Sequence, residues 1–325
     1  MQAARTLVVA LVALACVAGC GSGTVPSGTP SADGGTPNRQ GCLDAWPAPN
    51  KVTTSGPIPS LVNSDLAPGP TRLLVGLLDQ AGFPIGSPAW KLNAQLFDLT
   101  TDGCTPIAAA EPLVFEWAID QVRGFFVAPA TLPHPMRELG ILVGGTDAAG
   151  AAVSLRFAVP VAASGIAPRP GDDAPRVATP TAAGDPHGLA GVSTDSAPLA
   201  RLYARSASDL LKRNEPFAIV FASPAFCTSL ACGPTLTVVK QVAADFPALA
   251  IIHVEPYITE WNGSRLAPVM SASGSLQPNP IAVAWRLPIE PWIFTVGPAG
   301  TIVDSFEGVV GAAELRAALA RIAKR

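Results

Sequence analysis

The chain has 325 residues, of which 49% are hydrophobic and 14% are charged, and its formal net charge is −3. This length is enough for two domains of ordinary size, each with a packed core. The small negative charge and the lack of a basic cluster in the sequence argue against nucleic acid as a partner.

The first twenty residues have the pattern of a bacterial lipoprotein signal. Arg5 supplies a positive charge, and residues 7–17 form an apolar run that is too short to span a membrane. In Val17-Ala18-Gly19-Cys20 the cysteine stands where the lipoprotein pathway attaches a diacylglyceryl group. We therefore predict a signal peptide over 1–19, lipidation of Cys20 and an extracytoplasmic protein anchored to the bacterial cell membrane. An ordinary secretory signal is the alternative.

A flexible tether is predicted over residues 20–60, which are rich in Pro, Gly, Ser and Thr. Four cysteines follow the anchor, and disulfides persist outside the cytoplasm. Cys42 and Cys104 lie near predicted loops, and we expect a structural disulfide between them, although sequence position alone does not establish the geometry of a bridge. Cys227 and Cys232 lie close together and are the candidates for chemistry.

The next segment contains short β-type runs separated by turn residues, and several runs alternate apolar with polar residues. The runs occupy residues 72–78, 91–97, 124–128, 140–143 and 153–157. This pattern is typical of an all-β sandwich. We therefore predict an immunoglobulin-like sandwich domain over 61–162. Its sequence shows neither a metal-ligand cluster nor a catalytic triad, which favours a structural or binding role.

Residues 163–197 contain five prolines and are predicted to form a linker. After the linker, helical and strand patterns alternate, which predicts an α/β domain over 198–325. Helices are expected over 200–213, 235–246 and 312–323, and strands over 216–221, 248–254, 292–296 and 301–306. The last two strands are joined by Gly297-Pro298-Ala299-Gly300 as a hairpin, which makes the sheet mixed.

The cysteine pair of this domain lies where a reactive thiol is expected. Cys227 follows an apolar strand, and Cys232 falls near the first turn of the next helix. Backbone N–H groups and the helix dipole stabilise a thiolate at such a place. A second cysteine within reach can then resolve a mixed disulfide.

The order strand, cysteine pair, helix, strand, Glu290-Pro291, hairpin and helix resembles the thioredoxin fold over about residues 193–325. It is most similar to the thioredoxin-family lipoproteins of bacterial envelopes related to TlpA and ResA. A subgroup of these carries C-x4-C, I-H-V-E and E-P-W-x-F stretches, found here at 227–232, 252–255 and 290–294. The resemblance implies a cis bond before Pro291 and thiol–disulfide exchange with envelope proteins. We expect neither a cofactor nor a metal.

The C-x4-C spacing leaves two alignments open. In the first, which the helix length favours, Cys227 is the exposed nucleophile and Cys232 resolves the mixed disulfide. In the second, Cys232-Gly233-Pro234-Thr235 matches C-G-P-C, so that Cys232 is a lone nucleophile and Thr235 replaces its partner. The preceding strand lacks the buried acid of thioredoxins. His253 and Glu255, on one face of their strand, are therefore candidates for a proton relay, the alternative being a core histidine and a strand-end carboxylate.

A thiol–disulfide oxidoreductase is the leading hypothesis, and three others stay open. A peroxiredoxin-like peroxidase would need Pro and Thr or Ser where this chain has Val220 and Pro224. A copper-binding module would use Cys227 and Cys232 with His253. In a module that binds partners without turnover, the cysteine pair would be a structural bridge.

Overall fold

The computed structural model describes residues 39–48 and 55–324. The predicted signal peptide, the lipidation site Cys20 and most of the predicted tether lie outside these residues. Within them, no helix combines the length and apolar character needed to cross a membrane.

The N-terminal half is mostly β. Its strands are β1 (Ile58–Leu61), β2 (Gly69–Leu78), β3 (Pro84–Ile85), β4 (Lys91–Asp98), β5 (Glu111–Ile119), β6 (Arg123–Leu132), β7 (Glu138–Thr146) and β8 (Ala152–Pro160). They form one antiparallel sheet in the order β1-β2-β6-β5-β4-β7-β8, and β3 pairs with β2. The five runs predicted from the sequence are β2, β4, β6, β7 and β8, and β5 completes the sheet between β6 and β4.

This sheet folds over so that its two halves face each other. Strands β4 and β5 are joined by three residue pairs only, which allows the bend between the halves. Alternate apolar side chains from both halves then fill one core, including Leu73 of β2, Phe126 of β6, Ile141 of β7 and Phe157 of β8. The outer strands β1 and β8 lie close to each other, so the sheet is nearly closed.

A short helix, α1 (Arg39–Asp44), is fixed to this sheet. Cys42 forms a disulfide with Cys104, 62 residues further along the chain. Trp46 packs against Phe97 with ring centroids 5.0 Å apart, and its indole N–H donates a hydrogen bond to the carbonyl of Gly103 at 3.0 Å.

The segment 163–197 packs on both halves of the molecule. The carboxylate of Asp65 accepts the backbone N–H groups of Ile166 and Ala167 at 2.9 and 3.0 Å. Further along, the backbone of Asp172 accepts the N–H of Ile302, which extends the edge of the C-terminal sheet. The segment also contains a 3₁₀ turn at Ala182–Gly184 and a short helix, α2 (Leu189–Val192).

The C-terminal half is a layered structure of helices and strands. Its helices are α3 (Ala207–Lys212), α4 (Cys232–Ala243), α5 (Pro280–Ala284) and α6 (Ala312–Ala323). Its strands are β9 (Phe217–Phe221), β10 (Ala250–Val254), β11 (Thr259–Trp261), β12 (Leu266–Pro268), β13 (Trp292–Val296) and β14 (Ile302–Glu307). Four of them form a sheet in the order β10-β9-β13-β14, in which β9 and β10 are parallel and β13 is antiparallel to its neighbours.

Strand β9 is central and buried along its whole length, because all five of its residues are apolar. Ala218 and Val220 face the layer formed by α4 and α6. Phe217, Ile219 and Phe221 face the layer that contains α3 and Trp285. This alternation holds the carboxyl end of β9, where the cysteine loop begins, in one position.

The helix predicted over 200–213 is wrong as a single element. The structure has a 3₁₀ turn at Ala200–Tyr203, then a break, and then α3. The break is held by Thr179, whose N–H donates to Ser206 Oγ at 2.9 Å and whose hydroxyl accepts the N–H of Ala207 at 3.0 Å. A polar partner distant in sequence therefore replaces the helical hydrogen bonds at this point.

The two halves share a buried interface. Arg72 of β2 binds both carboxylate oxygens of Glu314 in α6, at 2.7 and 2.8 Å. The buried carboxylate of Glu307 accepts the backbone N–H of Ser64 and the side-chain amide of Asn63. Desolvation raises the pKa of Glu307, while these hydrogen bonds oppose that shift. The halves are thus joined by polar contacts around an apolar centre.

Candidate functional site

Cys227 and Cys232 lie at the carboxyl end of β9, and Cys232 is the first residue of α4. Their sulfurs are bonded as a disulfide, with the two Cα atoms 5.9 Å apart. Cys232 is completely buried in the core beneath α4, whereas Cys227 is half-buried. One sulfur of the pair is therefore far more accessible than the other.

The surroundings of the accessible sulfur are polar. The backbone N–H of Cys232, at the start of α4, donates to Cys227 Sγ at 3.2 Å. The hydroxyl oxygen of Ser229 lies 3.2 Å from the same sulfur. When the disulfide opens, the N-terminus of α4 and this N–H group favour a negative charge on Cys227 over one on the buried partner.

Pro291 precedes β13 and is buried, and its peptide bond with Glu290 is cis. Because β13 pairs directly with β9, this turn lies beside the cysteine loop. The hydroxyl of Ser229 donates to the backbone carbonyl of Glu290 at 3.2 Å, which joins the loop to the turn.

The side chain of Glu290 is also held against the cysteine loop. One carboxylate oxygen accepts the N–H and the hydroxyl of Thr228 at 3.1 and 3.2 Å. The other accepts the hydroxyl of Tyr257. Desolvation raises the pKa of Tyr257, and the hydrogen bond to Glu290 raises it further. Hydrogen bonds to both of its oxygens thus hold the Glu290 carboxylate in one orientation.

Cys227 Sγ, Cys232 Sγ and a carboxylate oxygen of Glu290 all lie within 4.8 Å of one another. Sequence reasoning named Glu290 as part of a motif and gave it no chemical role. The sequence did contain a signal for Glu290. Pro291 was expected beside the cysteines, and its neighbour in the chain must therefore also lie near them.

His253 and Glu255 are placed in a separate network. The ring of His253 is buried. Its Nε2 atom lies 2.9 Å from the carbonyl oxygen of Ala222, and its Nδ1 atom lies 2.7 Å from the hydroxyl oxygen of Tyr203. A carbonyl only accepts, so Nε2 carries a proton, and Nδ1 faces the Tyr203 hydroxyl, which donates to Ser193 Oγ at 2.7 Å. Desolvation lowers the pKa of His253, which favours this neutral form.

Glu255 is buried and bonded to local donors. Its carboxylate accepts the N–H and hydroxyl of Thr194 at 2.7 and 2.8 Å, and the hydroxyl of Ser223 at 2.6 Å. Neither Glu255 nor His253 belongs to the group of potential ligand atoms formed by the cysteines and Glu290. These bonds attach the segment around Thr194 to the end of β10.

Comparisons with known proteins found similarity among solved structures alone. No family model matches the chain, and no curated protein matches it either. Among solved structures, a thiol:disulfide interchange protein of the thioredoxin family from Chlorobium tepidum TLS is similar, with 15% identity and a TM-score of 0.29. The match covers 48% of this chain and 97% of that one. A TM-score of this size does not establish a shared fold, so the chemistry has to follow from the geometry of the chain itself.

That geometry suits exchange of a disulfide with an external thiol. An incoming thiolate can reach the half-buried Cys227, and the buried Cys232 is then the leaving sulfur. A carboxylate oxygen of Glu290 lies within 4.8 Å of either sulfur, which allows proton exchange through one bridging water. Within residues 39–48 and 55–324, one group of three His, Cys, Asp or Glu side chains has ligand atoms close enough together to hold a metal ion. It consists of Cys227, Cys232 and Glu290.

Proposed function

We propose that the chain is a thiol–disulfide oxidoreductase that acts through Cys227 and Cys232. The observation that carries the proposal is the asymmetry of the bonded pair. Cys227 is half-buried and receives the first N–H of α4, while Cys232 is fully buried. Exchange enzymes need one accessible sulfur of low pKa and a protected partner.

The reaction starts from the closed form present in the structure. A partner thiolate attacks Cys227 Sγ, which forms a mixed disulfide and breaks the Cys227–Cys232 bond. Cys232 leaves as a thiolate and takes up a proton. A second partner thiolate then attacks the partner sulfur of the mixed disulfide, which releases an oxidised partner and the dithiol form of this chain. Two electrons pass from partner to chain, and the reverse sequence oxidises the chain's dithiol.

Glu290 is the proposed proton carrier for this reaction. The sequence offered His253 and Glu255 for that role, but both are occupied by the network around Tyr203, Thr194 and Ser223. Glu290 instead lies within 4.8 Å of both sulfurs. A carboxyl at this distance can pass a proton through one bridging water to the leaving Cys232 thiolate.

The domain types that we propose are a thioredoxin-like C-terminal domain and an immunoglobulin-like N-terminal domain. The first is supported by the order β10-β9-β13-β14, with helices on both faces and the cysteines after β9. The second is supported by the two facing halves of the N-terminal sheet around one core. The boundaries at 61–162 and 198–325 remain those proposed from the sequence.

The location and the partners are also proposals. Lipidation at Cys20 would anchor the protein to the bacterial cell membrane outside the cytoplasm, with protein thiols and disulfides of the envelope as partners. The lipoprotein pattern at 17–20 and the Cys42–Cys104 disulfide support this, because structural disulfides persist outside the cytoplasm.

Trapping a mixed disulfide tests the proposed function. Reduced Cys232→Ser, exposed to oxidised glutathione, should retain one glutathione on Cys227, because no thiol remains to displace it. Reduced Cys227→Ser should react at least about tenfold more slowly, because Cys232 is buried. Intact-mass measurement with peptide mapping reads both results. Faster modification of Cys227→Ser would reverse the roles of the cysteines, and no adduct on either variant would contradict the function.

A further inference from the structure

Thr235 in α4 carries a buried hydroxyl without a partner. The residue is 2% exposed, and among the residues that the structure describes none forms a hydrogen bond with its Oγ1 atom. A threonine inside a helix can bond its hydroxyl to the backbone carbonyl four residues earlier. Thr237 in the same helix does so, donating to the carbonyl of Gly233 at 3.0 Å. Thr235 does not, although an unpaired buried hydroxyl costs stability.

The position of Thr235 in the helix places this hydroxyl within one turn of Cys232. Residues three apart lie on the same face of an α-helix, with their Cβ atoms about 5–6 Å apart. Cys232 and Thr235 have this spacing in α4, and both are buried. Helical side chains tilt toward the N-terminus, which directs Thr235 toward the turn that begins at Cys232. In the second sequence alignment, Thr235 also takes the place of the second cysteine of C-G-P-C.

Opening the disulfide creates a buried charge that needs a donor. In the closed form the sulfur of Cys232 is bonded to that of Cys227 and is neutral. When a partner thiolate attacks Cys227, the electron pair of the S–S bond stays on Cys232, which becomes a thiolate in the core. A buried charge is costly unless it is paired or hydrogen-bonded. The backbone N–H of Cys232 is directed at Cys227 Sγ, and so it does not serve this thiolate.

We propose that the Thr235 hydroxyl donates a hydrogen bond to the Cys232 thiolate when the disulfide opens. The proton stays on the hydroxyl oxygen, so this contact transfers neither a proton nor an electron, and Glu290 supplies the thiolate's proton afterwards through water. Hydrogen bonds to charged acceptors are stronger than those between neutral groups. The contact therefore lowers the pKa of Cys232, and a thiol of lower pKa leaves faster. This inference rests on the proposed function, because it requires Cys232 to be the leaving sulfur.

The first measurement is the pKa of Cys232, read from thiolate absorbance at 240 nm in the full chain carrying Cys227→Ser. Adding Thr235→Val, which keeps the shape of the side chain and removes the hydroxyl, should lower the acid dissociation constant of Cys232 about tenfold. Thr235→Ser, which keeps the hydroxyl, should stay within about twofold. Thr237→Val, which removes an exposed hydroxyl from the same helix, is the control and should cause no change.

The second measurement is the rate at which glutathione opens the disulfide when both cysteines are present. Thr235→Val should slow this step about threefold, because Cys232 becomes a poorer leaving group. The oxidised variant should be at least as stable in urea as wild type, because the hydroxyl it lacks is unpaired in the closed form. This stability also shows that slower opening does not come from misfolding.

Three results would overturn the proposal: no effect of Thr235→Val on the pKa and the rate, an equal effect of Thr235→Ser or Thr237→Val, or loss of stability in oxidised Thr235→Val. Wild type that cycles reversibly with glutathione while Thr235→Val behaves identically would overturn this inference alone. Wild type that does not cycle would overturn the proposed function as well.

Discussion

Glu290 shows how far single residues could be interpreted from the sequence. The sequence predicted the roles of the cysteines and Pro291, and it offered His253 and Glu255 for proton transfer because the strand before Cys227 is wholly apolar. The structure places a carboxylate within 4.8 Å of both sulfurs, on the residue before Pro291. A local pattern cannot show that Thr228 and Tyr257 hold this side chain inward, because those contacts span 62 and 33 residues.

His253 is the contrasting case. Its sequence environment allowed either a relay or a core histidine. The structure bonds both nitrogens to Ala222 and Tyr203, away from the ligand group at the cysteines. Desolvation lowers the pKa of His253, and the charge of Glu255 raises it. Spacing along the strand could not show which partners either side chain would find.

Leu230, between the two cysteines, is the residue we expect to contact partner proteins. It is a large apolar side chain in the cysteine loop and is 66% exposed. Leu230→Asp should lower the rate of exchange with a folded protein disulfide about tenfold, because a charge replaces an apolar contact. The rate with oxidised glutathione should change less than twofold. Stopped-flow kinetics with both substrates measure the difference.

Val122 supplies the matched control. It has the same exposed fraction, 66%, in the turn between β5 and β6. Val122→Asp should leave both rates unchanged. If the Leu230 and Val122 variants behave alike with the protein substrate, Leu230 does not contact partners.

At the scale of elements, the sequence predicted best where one physical pattern dominates. The apolar strand over 216–221 corresponds to β9, and the closing helix over 312–323 is α6 with the same limits. The apolar residues of each element determine which of its surfaces is buried: both faces of β9 and one face of α6. The break before α3 was not predictable in this way, because Thr179 makes it from outside the segment.

The sequence also did not indicate two strands of the N-terminal half, β3 and β5. β5, with the sequence EPLVFEWAI, mixes buried and exposed residues without regular alternation, and β3 has only two residues. Their places are set by pairing with β6 and β2. Register with a partner strand, not local propensity, therefore determines them.

At the scale of the whole molecule, the N-terminal half supports the cysteine helix. Ala231, which caps α4 just before Cys232, packs in an apolar cluster with Leu74, Phe125 and Val309. The redox loop is therefore fixed by both halves of the chain. Polar contacts between the halves accompany this cluster. Arg72 binds the carboxylate of Glu314 and donates a hydrogen bond to the backbone carbonyl of Glu307.

Arg72→Leu should destabilise the protein by about 3 kcal/mol, because its loss leaves partly buried carboxylates without a cation. Burial and the charge of Glu314 raise the pKa of Glu116, while Arg72 lowers it. Loss of Arg72 therefore increases repulsion between these two acids. Urea denaturation at pH 7 measures the change.

The exposed pair Arg316–Asp245 is the control, with both side chains nearly half exposed. Arg316→Leu should cost less than about 1 kcal/mol, as exposed ion pairs do. Equal losses from the two substitutions would show that the Arg72 contacts do not stabilise the interface.

The central claim is that Cys227 and Cys232 form a reversible redox pair in the folded protein. The most direct test equilibrates the protein in a series of glutathione buffers containing excess chelator and counts its free thiols. We predict a single two-electron transition, with far-ultraviolet circular dichroism unchanged across it and the transition abolished in Cys227→Ser. A pair that stays oxidised until the protein unfolds, or that opens without closing again, would contradict the account.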